Sequence, residues 1–146
     1  MKRLFAIAAT LLLSACHSDP QHASVSHAWV RLAAVPGQPS AAYFSLDGGR
    51  HAARLVKVES AVAQRAELHE SMKGMGGMGE MKPLDGIDIH PGTHIAFAPG
   101  GRHVMLFGLD PAIKPGTAVP LRFGFADGTT AEAEAKTVAA GDDAPY

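Results

Sequence analysis

A single cysteine, Cys16, stands in 146 residues, so the chain can form no intrachain disulfide. Past the N-terminal segment no apolar run is long enough to be a membrane-crossing helix. Charge is sparse and nearly balanced, at 18% of residues with a formal net charge of −1, and Lys and Arg form no stripe. That argues against a nucleic-acid partner. Internal repeats and long linkers are absent. No G-x-S-x-G elbow occurs, and Ser, His and Asp show no layout suited to nucleophilic catalysis. The chain is therefore not expected to be an enzyme. What remains is an apolar fraction of 47%, enough for one compact domain with its own core.

The first fifteen residues stand apart. Lys2 and Arg3 precede the apolar run "LFAIAATLLL", and small residues follow in "SAC". This is the layout of a secretory signal, with a charged region, an apolar region and a cleavage region. "LSAC", Leu13 to Cys16, resembles a bacterial lipobox, in which the cysteine is lipidated and becomes the first residue of the mature chain. Ordinary cleavage nearby is the alternative. Lipidation would make the protein a membrane-tethered soluble domain. Removing residues 1–15 takes Lys2 and Arg3 from the 13 basic side chains and leaves 11 against 14 acidic ones, a formal net charge of −3. Residues 16–26 read as a polar tether, 27–140 as the single domain and 141–146 as a short tail.

Within the domain, short β-type runs alternate with turn signals, as in an all-β sandwich or barrel. "HAWVRLAAV" ends at Pro36-Gly37, "AAYFSL" at Asp47-Gly48-Gly49, and "RHVMLFGL" at Asp110-Pro111. "ARLVKVESAV", "AELHES" and "THIAFA" read as further strands. In "TAVPLRFGF", Val119, Leu121, Phe123 and Phe125 share one face. Asp127-Gly128 is a hairpin turn signal, and Ala131, Ala133 and Ala135 then alternate with Glu132, Glu134 and Lys136. "AEAEAK" has helical propensity, but its period-two pattern beside a turn favours a strand.

Methionine usually fills cores. Here four of the five methionines left after the signal, Met72, Met75, Met78 and Met81, recur every third residue in "SMKGMGGMGEMKP". Four glycines in that stretch make a helix costly, so it reads as a flexible arm. One reading is a surface loop with incidental methionines. The other is metal binding: thioether sulfur is a soft, neutral donor that selects Cu(I) over hard cations. A blue-copper electron-transfer site is disfavoured, since it needs a cysteine thiolate. In "RHVMLFGL", strand alternation points Val104 and Leu106 one way and His103 and Met105 the other. In "AELHES" the same alternation turns Leu68 inward and His69 outward.

At these residues the chain resembles the periplasmic copper chaperones of the PCuAC family. Their signature is a His, a variable position, ten residues, a Met, twenty-one residues and His-x-Met. Here His69 and Glu70 are followed by residues 71–80, Met81, residues 82–102 and His103-Val104-Met105. "KPLDGIDIHPG", "FAPGGRHVMLFGL" and "AWVR…AAYFSL" extend the likeness over nearly the whole mature chain.

The resemblance implies a cupredoxin-like Greek-key β-sandwich or barrel with His69, Met81, His103 and Met105 as Cu(I) ligands. It also implies copper delivery towards the dinuclear copper centre of cytochrome c oxidase. The partner would be a copper-accepting protein, either subunit II of that oxidase or another copper chaperone. The setting would be the periplasm of a Gram-negative-type bacterium, with the protein held at a membrane by its lipid anchor. Met72, Met75 and Met78 fall outside the signature and are candidate secondary metal ligands. Some relatives carry a His- and Met-rich C-terminal tail that helps bind Cu(II), and "AAGDDAPY" lacks one. His90 and His94, or His17, His22 and His27, are substitutes for it, each better read as a surface histidine. Two other functions stay open: a membrane-anchored copper-sequestering or resistance protein, and a β-sandwich scaffold that binds no metal.

Overall fold

The computed structural model describes residues 21–73 and 79–146. Cys16, the signal segment, His17, Met75 and Met78 lie outside the described residues. Ten strands and no helix are found among the described residues: β1 (Ser24–Arg31), β2 (Ser40–Asp47), β3 (Ala53–Glu59), β4 (Arg65–Lys73), β5 (Gly79–Pro83), β6 (Ile87–Ile89), β7 (His94–Phe97), β8 (Arg102–Phe107), β9 (Ala118–Phe125) and β10 (Thr130–Val138). The all-β expectation is met. β1 starts three residues inside the stretch read as tether, because Ser24–Ser26 pair with Ser45–Asp47 of β2.

The strands form one sheet in the order β5-β4-β8-β2-β1-β10-β9-β3-β6, with β7 pairing β2 beside β8. The β1–β10 pairing is parallel, whereas β1–β2 and β9–β10 are antiparallel. β2 and β9 stand three places apart in that order, roughly 14 Å along a flat sheet at ~4.8 Å per strand. Yet the Phe44 and Phe123 rings meet edge to face with centroids 4.8 Å apart. The sheet therefore curls until its inner face closes on itself. That face carries Val30, Ala42, Phe44, Leu46, Leu55, Leu68, Val104, Leu106 and Ala135.

The last hairpin follows its alternation. Val119, Leu121, Phe123 and Phe125 are buried, and Glu132, Glu134 and Lys136 are exposed. Asp127 closes the turn: its Oδ1 accepts from the Thr129 backbone N–H at 2.9 Å and from the Thr129 hydroxyl at 2.6 Å. These bonds hold the Asp127 carboxyl below the usual carboxylate range, with the hydroxyl bond the larger cause. Gly128 adopts φ +87°, the left-handed geometry that the Asp-Gly signal predicts.

Two irregularities shape the functional face. At His27 (φ 52°) the β1–β2 register shifts, so that Ala28, Trp29 and Val30 are all buried. β7 and β8 are two pieces of one interrupted strand. β8 pairs Ser40–Ala42 of β2, and β7 pairs Phe44–Asp47. Between them Gly101 N–H donates to the Ala98 carbonyl at 3.0 Å, closing a turn in which Gly100 takes φ +81°.

Phe44 stacks on Phe97 with centroids 4.2 Å apart, besides its contact with Phe123, and is 2% exposed. Phe44→Ala should therefore destabilise the domain by about 3–5 kcal/mol. Urea unfolding followed by Trp29 fluorescence checks this, and a loss under 1 kcal/mol would mean the two halves of the core do not depend on this ring.

Candidate metal centre

β4 lies between β5 and β8, and its register decides which side chains meet. On the β8 side Leu68 pairs with Val104, His69 with His103, Glu67 with Met105 and Arg65 with Phe107. On the β5 side Ser71 pairs with Met81 and His69 with Pro83. Side chains alternate along each strand. Leu68 and Val104 therefore point into the core, and His69, His103, Met105 and Met81 stand together on the other face of three adjacent strands.

The stretch 72–81 is not simply an arm. Met72 lies in β4 and Met81 in β5, as opposite limbs of a hairpin. The reading of that segment as unstructured is corrected for Met72 and Met81. Strand pairing recovers the backbone hydrogen bonds that glycine-rich sequence alone does not predict. β5 ends the strand order, so Pro83 with its missing N–H is tolerated there. Pairing resumes just beyond it, where Leu84 N–H donates to the Leu68 carbonyl at 2.9 Å. Met72 pairs with Glu80 and has the parity of Leu68, so it faces away from Met81 and the two histidines.

The two imidazoles lie nearly parallel, with centroids 6.0 Å apart and planes 19° from each other. His103 Nδ1 lies 3.0 Å from the Gly101 carbonyl. An Nδ1–H donated there leaves Nε2 with its lone pair free to ligate. The same carbonyl accepts the Ser71 N–H at 3.0 Å, so one oxygen orients His103 and fastens the outer half of β4. The Gly101 N–H turns back to Ala98, while its carbonyl keeps the next rung of the β4–β8 pairing and also meets His103. His69 is held more loosely: its Nδ1 lies 3.4 Å from the Glu67 carbonyl, and its Nε2 lies 3.8 Å from Glu67 Oε2.

Exposure rises in order across the site. His103 is 5% exposed, the His69 side chain 12% and Met81 58%, with Met105 half-buried. Behind His103 stands an aromatic wall that the sequence reading did not assign to the site. Tyr43 lies 6.5 Å from the His103 ring and Trp29 4.5 Å from Tyr43, centroid to centroid. The Arg31 guanidinium sits 5.0 Å over Trp29, and its Nη2 donates to the Asp142 carbonyl at 3.1 Å. Burial pushes the Tyr43 hydroxyl above its ordinary range, and the Arg31 charge pulls the other way. These residues occur in "AWVR" and "AAYFSL", but only the strand pairing of β1, β2 and β8 reveals their common row.

The other described histidines lie elsewhere. His94 on β7 pairs with Asp47 at 2.6 Å, the His27 ring meets Tyr146, and His90 caps the turn after β6 through its carbonyl. His22 precedes β1. Among the described residues no three His, Cys, Asp or Glu side chains converge to hold a metal ion. A metal at His69 and His103 would find the Met105 and Met81 thioethers on the same face, with the nearby Glu67 carboxylate paired to Arg65. That donor set suits a soft monovalent ion and suits zinc poorly.

Residues 23–137 match the family described as "Putative lipoprotein LpqE-like". A curated relative, "Putative lipoprotein Lxx21020" of Leifsonia xyli subsp. xyli (strain CTCB07), is 33% identical over 73% of this chain. The match spans 63% of that relative's length. Among solved structures, the "Copper-bound PCuAC domain from PmoF2" superposes with a TM-score of 0.66 at 21% identity, covering 80% of this chain and 92% of that one. The solution structure of CuI-DR1885 from Deinococcus radiodurans gives a TM-score of 0.56 at 27% identity, covering 77% and 75%. The chain has the fold of the PCuAC domains and belongs to the LpqE-like family.

Proposed function

We propose that this protein is an exported, lipid-anchored Cu(I) carrier with His69, His103, Met105 and Met81 as its ligands. The observation that carries the reading is the register of β4. Pairing with β8 and β5 brings two imidazoles and two thioethers to one face of the sheet. The similar solved domains described as copper-bound and Cu(I)-bound support it. So does the pairing of the nearby Glu67 carboxylate with Arg65, which leaves the two thioethers as the further donors on that face.

The site suits transfer better than storage. Deep burial of His103 anchors one side of the ion, and the exposed Met81 leaves the other side open to an incoming ligand. Cu(I) can then pass by stepwise exchange, without first becoming bare. The recipient is a copper-accepting protein such as the dinuclear centre of cytochrome c oxidase. A sequestering role would call on the additional methionines, and Met72 faces away from the four ligands, which supports one primary site. The lipoprotein description of the family supports a lipid on Cys16 and a domain held close to a membrane.

Met81→Leu or Met105→Leu should each weaken Cu(I) binding at least tenfold, about 1.4 kcal/mol or more. Met72→Leu should leave the primary site intact. Competition with a chromophoric Cu(I) chelator measures all three, and loss of the site in the Met72 variant alone would reject the ligand set. An imidazole ligates only when neutral, so acidification should weaken Cu(I) binding. An affinity that stays level into mildly acidic solution would mean that thioethers alone hold the ion. Cys16→Ser should release the protein from membranes, and mass spectrometry of the native N-terminus should find acyl chains on Cys16.

A further inference from the structure

On the copper-facing side, β4 and β8 form a ladder of unlike rungs. His69 faces His103, Glu67 faces Met105, and Arg65 faces Phe107. Arg65 Nε lies 2.7 Å from Glu67 Oε1, and the Arg65 guanidinium carbon sits 4.2 Å over the Phe107 ring. The other carboxylate oxygen, Oε2, lies 3.8 Å from His69 Nε2, the nitrogen left free when Nδ1 donates to the Glu67 carbonyl. Glu67 thus stands between a cation and a metal-binding nitrogen, and the cation holds it.

We propose that Arg65 is a positioning residue for metal selectivity: by holding Glu67 it keeps a hard oxygen out of the metal shell and so keeps the site soft. The proposal rests on the copper reading above. The distances give it physical content. Two ligands on one tetrahedral zinc, each about 2.1 Å from the ion, lie roughly 3.4 Å apart. Glu67 Oε2 therefore falls only a few tenths of an ångström short of sharing an ion with His69 Nε2. With Glu67 engaged, the shell would become two imidazoles and a carboxylate, a set that zinc and Cu(II) both accept.

Arg65 opposes that engagement in two ways. It offers Oε1 a charge-assisted hydrogen bond. Its own guanidinium is braced on Phe107, which limits how far it can follow Glu67 towards the metal. Both side chains are well exposed, Arg65 at 60% and Glu67 at 40%, so the restraint is modest and solvent-screened. A modest restraint suffices, because it needs only to weaken the binding of hard ions relative to Cu(I).

The test compares Arg65→Met, Arg65→Lys and the double variant Arg65→Met with Glu67→Gln. Methionine keeps the length and the apolar contact with Phe107 while removing the charge. Zn(II) and Cu(II) affinities are read by chelator competition, and the Cu(II) ligand set by electron paramagnetic resonance. Arg65→Met should bind Zn(II) and Cu(II) about two- to fivefold more tightly, since a screened surface pair restrains weakly. Its Cu(II) spectrum should gain oxygen coordination. The gain should vanish in the double variant, and Arg65→Lys should stay close to the unaltered protein. Unchanged Zn(II) and Cu(II) affinity in Arg65→Met, or a gain that survives in the double variant, would overturn the proposal. Cu(I) affinity of the unaltered chain is measured in the same series. If that alone is absent the copper reading falls, while the Zn(II) comparison still reports on Arg65 and Glu67.

Discussion

The pairing of Leu68 with Val104 is the contact on which the site depends. Both side chains are buried, at 6% and 0% exposure, and neither can leave the core without loss. A slip of one residue between β4 and β8 would turn every side chain of one strand to the wrong face. It would drive His69 into the core and expose Leu68. The apolar half of the alternation thus fixes the polar half. The core specifies which donors share a face.

Much of this was legible in the sequence because strand alternation needs only local information. Val119, Leu121, Phe123 and Phe125 announced a buried face, and the Asp127-Gly128 turn announced the hairpin. The outward parity of His69, His103 and Met105 followed from the same rule, and the spacing resemblance added Met81. The segment around Met72 and Met81 was misread as an arm, because glycine content reports the cost of a helix and says little about a hairpin limb. The Trp29–Tyr43–His103 row and the Arg65–Glu67 pair were not legible at all. The row depends on which strands lie side by side, and the pair on side-chain conformation. β2 and β8 are separated by more than fifty residues, and nothing in either run signals the other. The start of β1 inside the supposed tether has a similar cause: Ser24–Ser26 look polar and become a strand only because β2 is there to pair with them.

The broken strand β7–β8 shows how an irregularity can serve geometry. The turn at Ala98–Gly101 sends the Gly101 N–H back to the Ala98 carbonyl, while the Gly101 carbonyl keeps its rung to the Ser71 N–H of β4 and also faces His103 Nδ1. One oxygen then couples ring orientation to the attachment of the hairpin that carries Met81. His69 has no equivalent fixture, and its contacts at 3.4 Å and 3.8 Å are slack. The two histidines are therefore unequal, one held by the framework and one free to adjust.

The strand pairing also sets a direction. Ser24, where the described chain enters β1, pairs with Asp47, whereas Trp29, in the row of His103, pairs with Tyr43. The five steps from Ser24 to Trp29 span roughly 16 Å of extended chain. In the proposed anchored form the lipid would lie beyond Ser24, so the domain would hang from the Ser24 end of β1 with the His103 row set back from it. Such a protein would work as a boom. In that form the tether would set how wide an area of membrane it sweeps, and β1 would set the clearance between the lipid surface and the His103 row. Lengthening the tether would widen the sweep without altering the clearance that the fold itself provides.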